Sequence, residues 1–233
     1  MERLTKKTPL PRMPIWLKAV GVMLLFYGII AGLLGRVPER EILYESIRNL
    51  YFHVPMWFGM FFLFFVSFIL SLMHLSKNRE RLDLMSKELI KTGVVFGLLG
   101  IFTGALWARY TWGEWWSNDI KQNGAAITLL VYMAYGLLRN SIENQEVKAR
   151  MAAIYNIFAF FALIPLIFIL PRLTDSLHPG SGGNPAFNAY DLDDRMRMVF
   201  YPAVIGWIII GLWMSEVHMR ISFLKQKLLN EDE

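Results

Sequence analysis

Long uncharged apolar runs dominate the hydropathy pattern of this chain, and there are six of them. A helix needs roughly 20 mostly apolar residues to cross about 30 Å of hydrocarbon. The runs cover residues 16–34, 52–75, 92–108, 122–138, 151–171 and 198–215, and Lys18 is the one charged residue inside them. They are continuously apolar, without the period-two alternation of a membrane β-barrel strand. The pattern predicts an all-α membrane protein with a bundle of six transmembrane helices.

Composition supports lipid as the main solvent of the chain. Hydrophobic residues make up 55% of the 233 positions, and the mean hydropathy is +0.38, whereas soluble domains are closer to 45–50% apolar. A chain of this length predicts a single integral membrane domain over residues 1–233. The first run follows a basic segment, but it is long for a signal core and no clear A-x-A cleavage site follows, so we interpret it as a retained helix.

The distribution of positive charge predicts the orientation of the bundle. Sixteen of the 24 lysine and arginine residues lie in the amino terminus, the second and fourth connections and the tail; eight lie in the other three connections. Because positive residues favour the cytoplasmic side, both termini are predicted to be cytoplasmic. The formal net charge of +5 is then mainly a topology signal, and we expect no nucleic-acid partner.

Two of the four histidines fall on the predicted outer side. His53 precedes Pro55, which biases the intervening residue Val54 toward an extended backbone and places His53 at the mouth of the second helix. His178 lies on a bend before a Gly- and Pro-rich stretch. Two imidazoles are a common pair of axial ligands for haem iron. A zinc-type site usually takes three or four ligands, and the acidic residues that could complete one are Asp175, Asp191, Asp193 and Asp194.

Three tryptophans lie within five residues in the sequence TWGEWWSNDI, between the third and fourth runs. On a helix their spacing of i, i+3, i+4 and i+7 is a single face, shared by Trp112, Trp115, Trp116 and Asp119. Such a face would stack against a flat apolar ring such as a porphyrin. The alternative is an aromatic belt at the membrane surface. The residues alone leave both interpretations open.

Haem propionates need cationic partners at the water boundary. Arg48, Arg109 and Lys121 are placed for this role, although each is equally an ordinary snorkelling charge. The segment REILYESIRNLY (40–51) has an amphipathic pattern. It predicts that Arg48 faces water and that four apolar residues lie on the membrane surface: Ile42, Ile47, Leu50 and Tyr51.

These motifs resemble a known family. SIRNLYFHVPMW (46–57) is similar to the segment around the first external histidine of the CcmC family of cytochrome c maturation, including the arginine five residues before it. WGEWWSNDIKQNGAAITLLVYMAYGLLR (112–139) resembles the tryptophan-rich motif W-G-x-W-W-x-W-D of the haem-handling superfamily, and LHPG (177–180) stands where the second histidine belongs. The larger relative CcsA has further spans, so the length of this chain favours CcmC.

The resemblance implies a carrier in the bacterial inner membrane rather than an enzyme. In that family, haem b is bound non-covalently at the periplasmic face and passed to the haem chaperone CcmE, with subunits of an ABC transporter assisting. The resemblance implies that His53 and His178 are the axial ligands and that Arg48 and Lys121 are propionate partners. It also implies that the haem platform and the surface facing the chaperone are formed by Trp112, Trp115, Trp116 and Asp119. The chain departs from the motif at Asn118, where a tryptophan is usual, and at Lys121, where CcmC usually has arginine.

Two other functions compete with haem delivery. A b-type cytochrome that carries electrons across the membrane would need a second haem near the inner face, for which His74 and His218 are the candidate ligands. A transporter without a cofactor would need broken or polar helices at mid-bilayer. Pro165 is the one hint of such a break, and a simple kink is the plainer interpretation.

Overall fold

The computed structural model describes residues 12–38, 43–178 and 192–231. Six helices have 20 residues or more: α1 (Ile15–Leu34), α2 (Leu50–Lys77), α3 (Glu80–Thr111), α4 (Ile120–Ser141), α5 (Gln145–Ile164) and α7 (Asp194–Glu231). A 3-10 turn over Tyr44–Asn49 precedes α2, and a π-helical turn over Pro165–Ile169 joins α5 to the short α6 (Leu170–Leu173). No β-strand occurs in the described ranges.

The prediction of an all-α membrane protein is confirmed, and the chain is a multi-pass membrane protein. Five segments are long and apolar enough to cross a bilayer: Ile15–Leu34, Tyr44–Lys77, Glu80–Thr111, Gln145–Leu173 and Asp194–Lys225. The sixth helix, α4, has 22 residues, which is a sufficient length, but it is less apolar than those five. Every predicted span therefore corresponds to a helix, and the fourth is the most polar of the six.

Helix ends follow from local side chains. Asn144 begins α5, since its Oδ1 accepts hydrogen bonds from the backbone N–H groups of Glu146 and Val147 at 3.0 Å each. Asn78 ends α2 in the left-handed conformation at φ 45°, which asparagine adopts more readily than most residues. Pro55 lies inside α2, so the prediction of an extended Val54 is wrong. The bias before proline is a preference, and side-chain packing against α3 outweighs it here.

Close helix contacts depend on small residues, as is common in lipid, where no hydrophobic force brings helices together. On α1, an added Cβ at Gly21 would lie 2.6 Å from Ile209 of α7, and one at Gly28 would lie 3.0 Å from Ala203. On α7, Gly206 is equally close to the α1 backbone. The first and last helices are thereby held side by side.

The two ends of the bundle differ in chemistry. At one end, charged residues from different helices pair: Arg139 binds Asp83 with two hydrogen bonds of 2.6 and 2.8 Å, and Lys18 lies 3.1 Å from Glu216. At the other end lie the amino terminus of α2, the carboxyl terminus of α3 and the loop between α3 and α4. The predicted site residues lie at this second end.

The described part of the segment 40–51, residues 43–51, does not lie on a membrane surface as predicted, and Ile42 lies outside the described residues. Ile47 and Tyr51 are buried at 4% and 3% exposure, in a cluster with Leu192, which precedes α7, and with Met196 and Phe200 in the first turns of α7. The apolar face of this segment therefore packs against protein, because α1, α2 and α7 converge there.

The π-helical turn at Pro165 fits against α4 through a glycine. A Cβ added at Gly124 would collide with the backbone carbonyl of Leu166. Since proline lacks an N–H and disturbs the regular helical ladder, the wider turn accommodates it, and the glycine allows α4 to approach the turn closely. This contact directs the chain beyond α6 toward the start of α4.

We expect Gly124→Ala to destabilise the protein by about 1–3 kcal/mol, the usual cost of forcing extra volume into a packed interior. Gly136→Ala is the matched control, because Gly136 lies in the same helix and a Cβ there meets no atom within 4 Å. Alanine favours the helix over glycine by about 1 kcal/mol, so this variant should be neutral or stabilised. Thermal unfolding in detergent measures both, and equal effects would contradict the close-packing interpretation.

Candidate functional site

The tryptophan-rich segment, residues 112–119, is an irregular loop between α3 and α4. The last helical hydrogen bond runs from the N–H of Trp112 to the carbonyl of Ala108 at 2.8 Å. Gly113 then takes φ 84° and Asn118 takes φ 55°, and left-handed residues such as these end a helix. The prediction of a single helical face is therefore wrong for its four members, Trp112, Trp115, Trp116 and Asp119.

Asp119 connects this loop to two other segments. Its Oδ1 accepts the N–H of Lys121 at 2.9 Å and thereby begins α4. The same oxygen lies 2.8 Å from Nδ1 of His178. Its Oδ2 accepts the hydroxyl of Ser176 at 2.8 Å and the N–H of Leu177 at 2.7 Å. One buried carboxylate thus holds the end of the loop, the start of α4 and residues 176–178.

The hydrogen bonds also determine the charge of this carboxylate. Burial acts to raise the pKa of Asp119. The hydrogen bond from His178 and the electrostatic interaction with that residue oppose burial, as do the hydrogen bonds from Leu177 and Ser176. Together they hold the pKa of Asp119 well below its ordinary value. Asp119 is therefore ionised and can only accept hydrogen bonds. It follows that Nδ1 of His178 carries the proton in this contact, and that the ring can ligate a metal ion only through Nε2.

The ring of His178 lies against one tryptophan of the loop. Its centroid is 4.8 Å from that of Trp112, and the two planes meet at 75°. The side chain of His178 is 25% exposed, whereas that of Asp119 is 2% exposed. The histidine is thus held from inside by the carboxylate and from one side by the indole, and it remains partly accessible.

The other two tryptophans have separate environments. Trp115 is 56% exposed. Trp116 donates its Nε1–H to Oδ1 of Asn123 at 3.1 Å, and Asn123 in turn donates to the backbone carbonyl of Asn118 at 3.0 Å. The tryptophans therefore have three distinct environments: one contacts the histidine, one is exposed and one is bonded to α4.

His53 lies within the first turns of α2 and is 9% exposed. Its Nδ1 is 3.1 Å from the hydroxyl of Thr103 on α3. The ring fits over Gly104, where an added Cβ would lie 2.6 Å from Cε1 of the imidazole. Trp57 and Trp107 are edge-on to the ring, with centroids at 6.1 and 6.0 Å.

The end of α3 brings the two histidines into one region. Trp107 in its last turns contacts His53, and Trp112 at its carboxyl cap contacts His178. The structure therefore places the two predicted ligand histidines at the same end of the bundle, although they are more than 120 residues apart in the chain.

The three cationic residues predicted as propionate partners each make contacts within the protein. Nη1 of Arg48 donates to the backbone carbonyls of Gly32 at 3.1 Å and Gly35 at 2.5 Å, and its Nε lies 2.6 Å from Glu45. This arrangement satisfies carbonyls at the end of α1, where a cation is favoured.

Arg109 donates to the carbonyl of Gly113 and so supports the turn after α3. Lys121 contributes its backbone N–H to Asp119. The structure thus gives two of the three cations a role at a helix end, and propionate binding by Arg48 and Lys121 stays a prediction.

Four residues of this region were missed by sequence reasoning: Trp57, Thr103, Gly104 and Trp107. A signal for them exists. Trp57 is four residues after His53 and so lies on the same face of α2, while Thr103, Gly104 and Trp107 share one face of α3 by their spacing of three and four. Their proximity to a histidine depends on how α2 and α3 pack, which the pattern does not specify.

Comparison with known proteins agrees with the motifs. A family model described as "Heme exporter protein C" (CcmC) matches residues 6–232. Heme exporter protein C of Bradyrhizobium diazoefficiens is 29% identical over 219 residues, which cover 91% of this chain and 80% of the relative. The protein of that name from Rhodobacter capsulatus is 23% identical over 228 residues, with 94% and 90% covered. The Escherichia coli K12 protein is 23% identical over 205 residues, with 88% and 81% covered.

The chain belongs to the heme exporter protein C family. The match covers both histidines, the tryptophan-rich loop and all six long helices.

The two remaining histidines of this family member lie at the opposite end of the bundle and in different places. His74 is 4% exposed, and its Nδ1 lies 3.0 Å from the carbonyl of Arg79. Nδ1 of His218 lies 3.4 Å from the hydroxyl of Thr92. Each lines a crevice of its own, of about 370 Å³ for His74 and about 300 Å³ for His218.

The acidic residues considered for a metal site do not form one among the described residues. No group of three or more histidine or carboxylate side chains able to hold a metal ion occurs in 12–38, 43–178 or 192–231. Asp191 lies outside the described residues.

We expect the contribution of Asp119 to stability to disappear in acid. Its pKa is lower in the folded protein than in the unfolded chain, so the unfolded chain takes up the proton more readily as the pH falls below about 3.9. The stabilisation is complete above that value and is lost progressively below it. In detergent, wild type should exceed Asp119→Asn in thermal stability at about pH 6, and the difference should shrink toward about pH 3.

Asp175→Asn is the matched control, because Asp175 is an exposed carboxylate in the same segment. This variant should follow wild type at each pH. A wild-type advantage over Asp119→Asn that is independent of pH would contradict an ionised Asp119.

Proposed function

We propose that this protein binds haem non-covalently at the end of the bundle that carries His53 and His178, and passes it to a haem chaperone during cytochrome c maturation. The observation that supports this most is the placement of the two imidazoles at one end of the bundle, each with Nδ1 engaged by a protein oxygen. An imidazole held in this way offers Nε2 to a metal ion, and such outer hydrogen bonds orient metal-binding histidines in general.

The surroundings fit a flat apolar cargo. Three indoles contact the two histidine rings edge-on: Trp57 and Trp107 at His53 and Trp112 at His178. Indoles bury large apolar surfaces, which suits a porphyrin. The chain has no cysteine, so thioether attachment of haem to this protein is impossible, in keeping with a carrier that releases haem b. Ligand exchange at iron, rather than turnover of a substrate, is the chemistry required.

The tryptophans then have divided roles. Trp112 supports His178, and Trp116 braces the loop against α4 through Asn123. Trp115, the most exposed of the three, presents an apolar surface at the rim of the site, where we place contact with haem or the chaperone CcmE. Arg48 and Lys121 remain the proposed propionate partners.

Orientation follows from the positive-inside rule. The end that pairs Arg139 with Asp83 and Lys18 with Glu216 carries the basic connections and both termini, so we place it in the cytoplasm of a bacterial cell. The histidine end then faces the periplasm, across the inner membrane. The names of the relatives describe a haem exporter, and ABC transporter subunits of the same maturation system are the proposed assisting partners.

We expect His53→Ala and His178→Ala each to lower the haem content of the purified protein and to change its absorption spectrum, since six-coordinate iron loses one axial ligand. Haem per protein and the Soret band in detergent measure this. His218→Ala is the matched control, because His218 lies at the opposite end, and it should retain the wild-type spectrum.

The same measurement decides against the b-type cytochrome. Haem loss in both His74→Ala and His218→Ala, with about two haems per protein, is what an electron carrier with haems near both faces requires. Unchanged haem content and spectrum in both His53→Ala and His178→Ala would overturn the proposed site.

A further inference from the structure

The two histidines of the site differ in the group that holds Nδ1. For His178 the partner is the carboxylate of Asp119 at 2.8 Å. For His53 it is the neutral hydroxyl of Thr103 at 3.1 Å, and the other polar neighbour of the ring, the backbone carbonyl of Gly100, is also neutral. A bond to an ionised acceptor is shorter and roughly twice as strong as one between neutral groups, and the two distances follow that order.

The direction of the second hydrogen bond follows from the helix around Thr103. Its hydroxyl donates back to the carbonyl of Leu99 at 2.8 Å, and the carbonyl of Gly100 is 3.2 Å away. A hydroxyl has one proton, so with that proton on the helix carbonyl the oxygen accepts from Nδ1 of His53. Both histidines therefore carry the proton on Nδ1 and have their lone pair on Nε2, but only one faces a negative charge.

A carboxylate behind an imidazole raises its basicity as a metal ligand. The Asp119 carboxylate draws the Nδ1 proton of His178 and so increases electron density at Nε2, which strengthens a bond from Nε2 to iron. The Thr103 hydroxyl polarises His53 much less. The same porphyrin iron would therefore meet one strong and one weak axial ligand.

We propose that the two haem ligands bind iron with unequal strength. His178, whose Nδ1 is hydrogen-bonded to Asp119, is the retained ligand, and His53, whose Nδ1 is hydrogen-bonded to Thr103, is the ligand that leaves when haem is passed on. This inference rests on the proposed function. The step is a ligand exchange in which the bond from iron to Nε2 of His53 breaks and a bond to a lone-pair donor of the acceptor protein, such as an imidazole nitrogen, forms. No electron is transferred, and the charge on iron is unchanged.

The locations of the histidines are compatible with this order. His178 lies in an irregular segment, but residues 176–178 give three hydrogen bonds to Asp119, so the segment is tied to the start of α4. His53 is on a helix and 9% exposed, among Trp57, Trp107 and Gly104. When its bond to iron breaks, the ring keeps its bond to Thr103 and its contacts with the indoles, so release needs no rearrangement of the fold.

Two single-ligand proteins test the inequality. In His53→Gly, haem is held by His178 alone; in His178→Gly it is held by His53 alone. We expect the iron–histidine stretching frequency of the reduced, five-coordinate haem, measured by resonance Raman, to be higher in His53→Gly. We also expect this protein to bind haem about 10- to 100-fold more tightly, the usual effect of an outer-shell partner. Equal or reversed frequencies would overturn the proposal.

Asp119→Asn, added to each background, identifies the cause. Asparagine keeps the helix-capping ability of aspartate but removes the charge. The frequency should fall in the His53→Gly background and stay constant in the His178→Gly background. Asp175→Asn is the matched control, since it removes a carboxylate that is exposed in the segment of His178 and leaves the acceptor of the imidazole unchanged. It should leave both frequencies unchanged.

The intact protein gives an independent answer if a single-ligand variant holds no haem. Cyanide added to the oxidised, six-coordinate protein displaces the ligand that dissociates first, and stopped-flow absorbance gives its rate. Thr103→Val should accelerate displacement more than Asp119→Asn, and Thr103→Ser should restore the wild-type rate. A larger acceleration by Asp119→Asn would show that His178 leaves first. Absence of histidine-ligated haem in wild type would instead refute the proposed function itself.

Discussion

The carboxylate of Asp119 is the interaction on which the geometry of this end of the bundle depends. It begins α4, ends the tryptophan-rich loop and fixes residues 176–178, which follow a π-helical turn and have no regular hydrogen-bond ladder of their own. Hydrogen bonds to a charged group contribute about 1.5–3 kcal/mol each, and this group accepts four. The negative charge of Asp119, whose side chain is 2% exposed, is tolerated because those four donors replace water. The position of His178 is therefore determined by a residue 59 positions away.

The other half of the site depends on helix packing rather than on charge. α3 presents Gly104 and Thr103 to α2, and the absence of a Cβ at Gly104 makes the space that the imidazole of His53 fills. Because small residues allow close approach of helices in lipid, the same device that holds α1 against α7 also makes the pocket for a histidine. One proposed ligand is thus positioned by the packed helices and the other by a loop anchored to them, and the end of α3 contacts both histidines.

The helices could be predicted from the sequence because lipid requires uncharged runs of fixed length, and six such runs are present. The two histidines could be chosen because they fall on one predicted side. What the sequence pattern missed depends on backbone conformation and tertiary contact. Gly113 and Asn118 take left-handed φ values, so the segment is not helical and the expected helical face of tryptophans does not form. Arg48 lies in a segment with an amphipathic pattern, which predicts that it faces water. In the structure it donates to carbonyls at the end of α1, and the pattern does not predict that α1 lies beside it.

Asn118 shows how the local backbone explains a departure from the motif. At φ 55° most side chains are unfavourable, and asparagine is among the residues that tolerate this region best. Its carbonyl accepts a hydrogen bond from Asn123, which in turn holds Trp116. Asn118, at the position where the motif usually has a tryptophan, thus helps to hold the indole of Trp116 in place through Asn123. In the proposed site, the indoles beside the histidines are Trp112 and, outside the motif, Trp57 and Trp107. A carrier must release its cargo. In the proposed transfer, aromatic contacts distributed over α2, α3 and the loop would keep the ring of haem covered while the iron–His53 bond breaks.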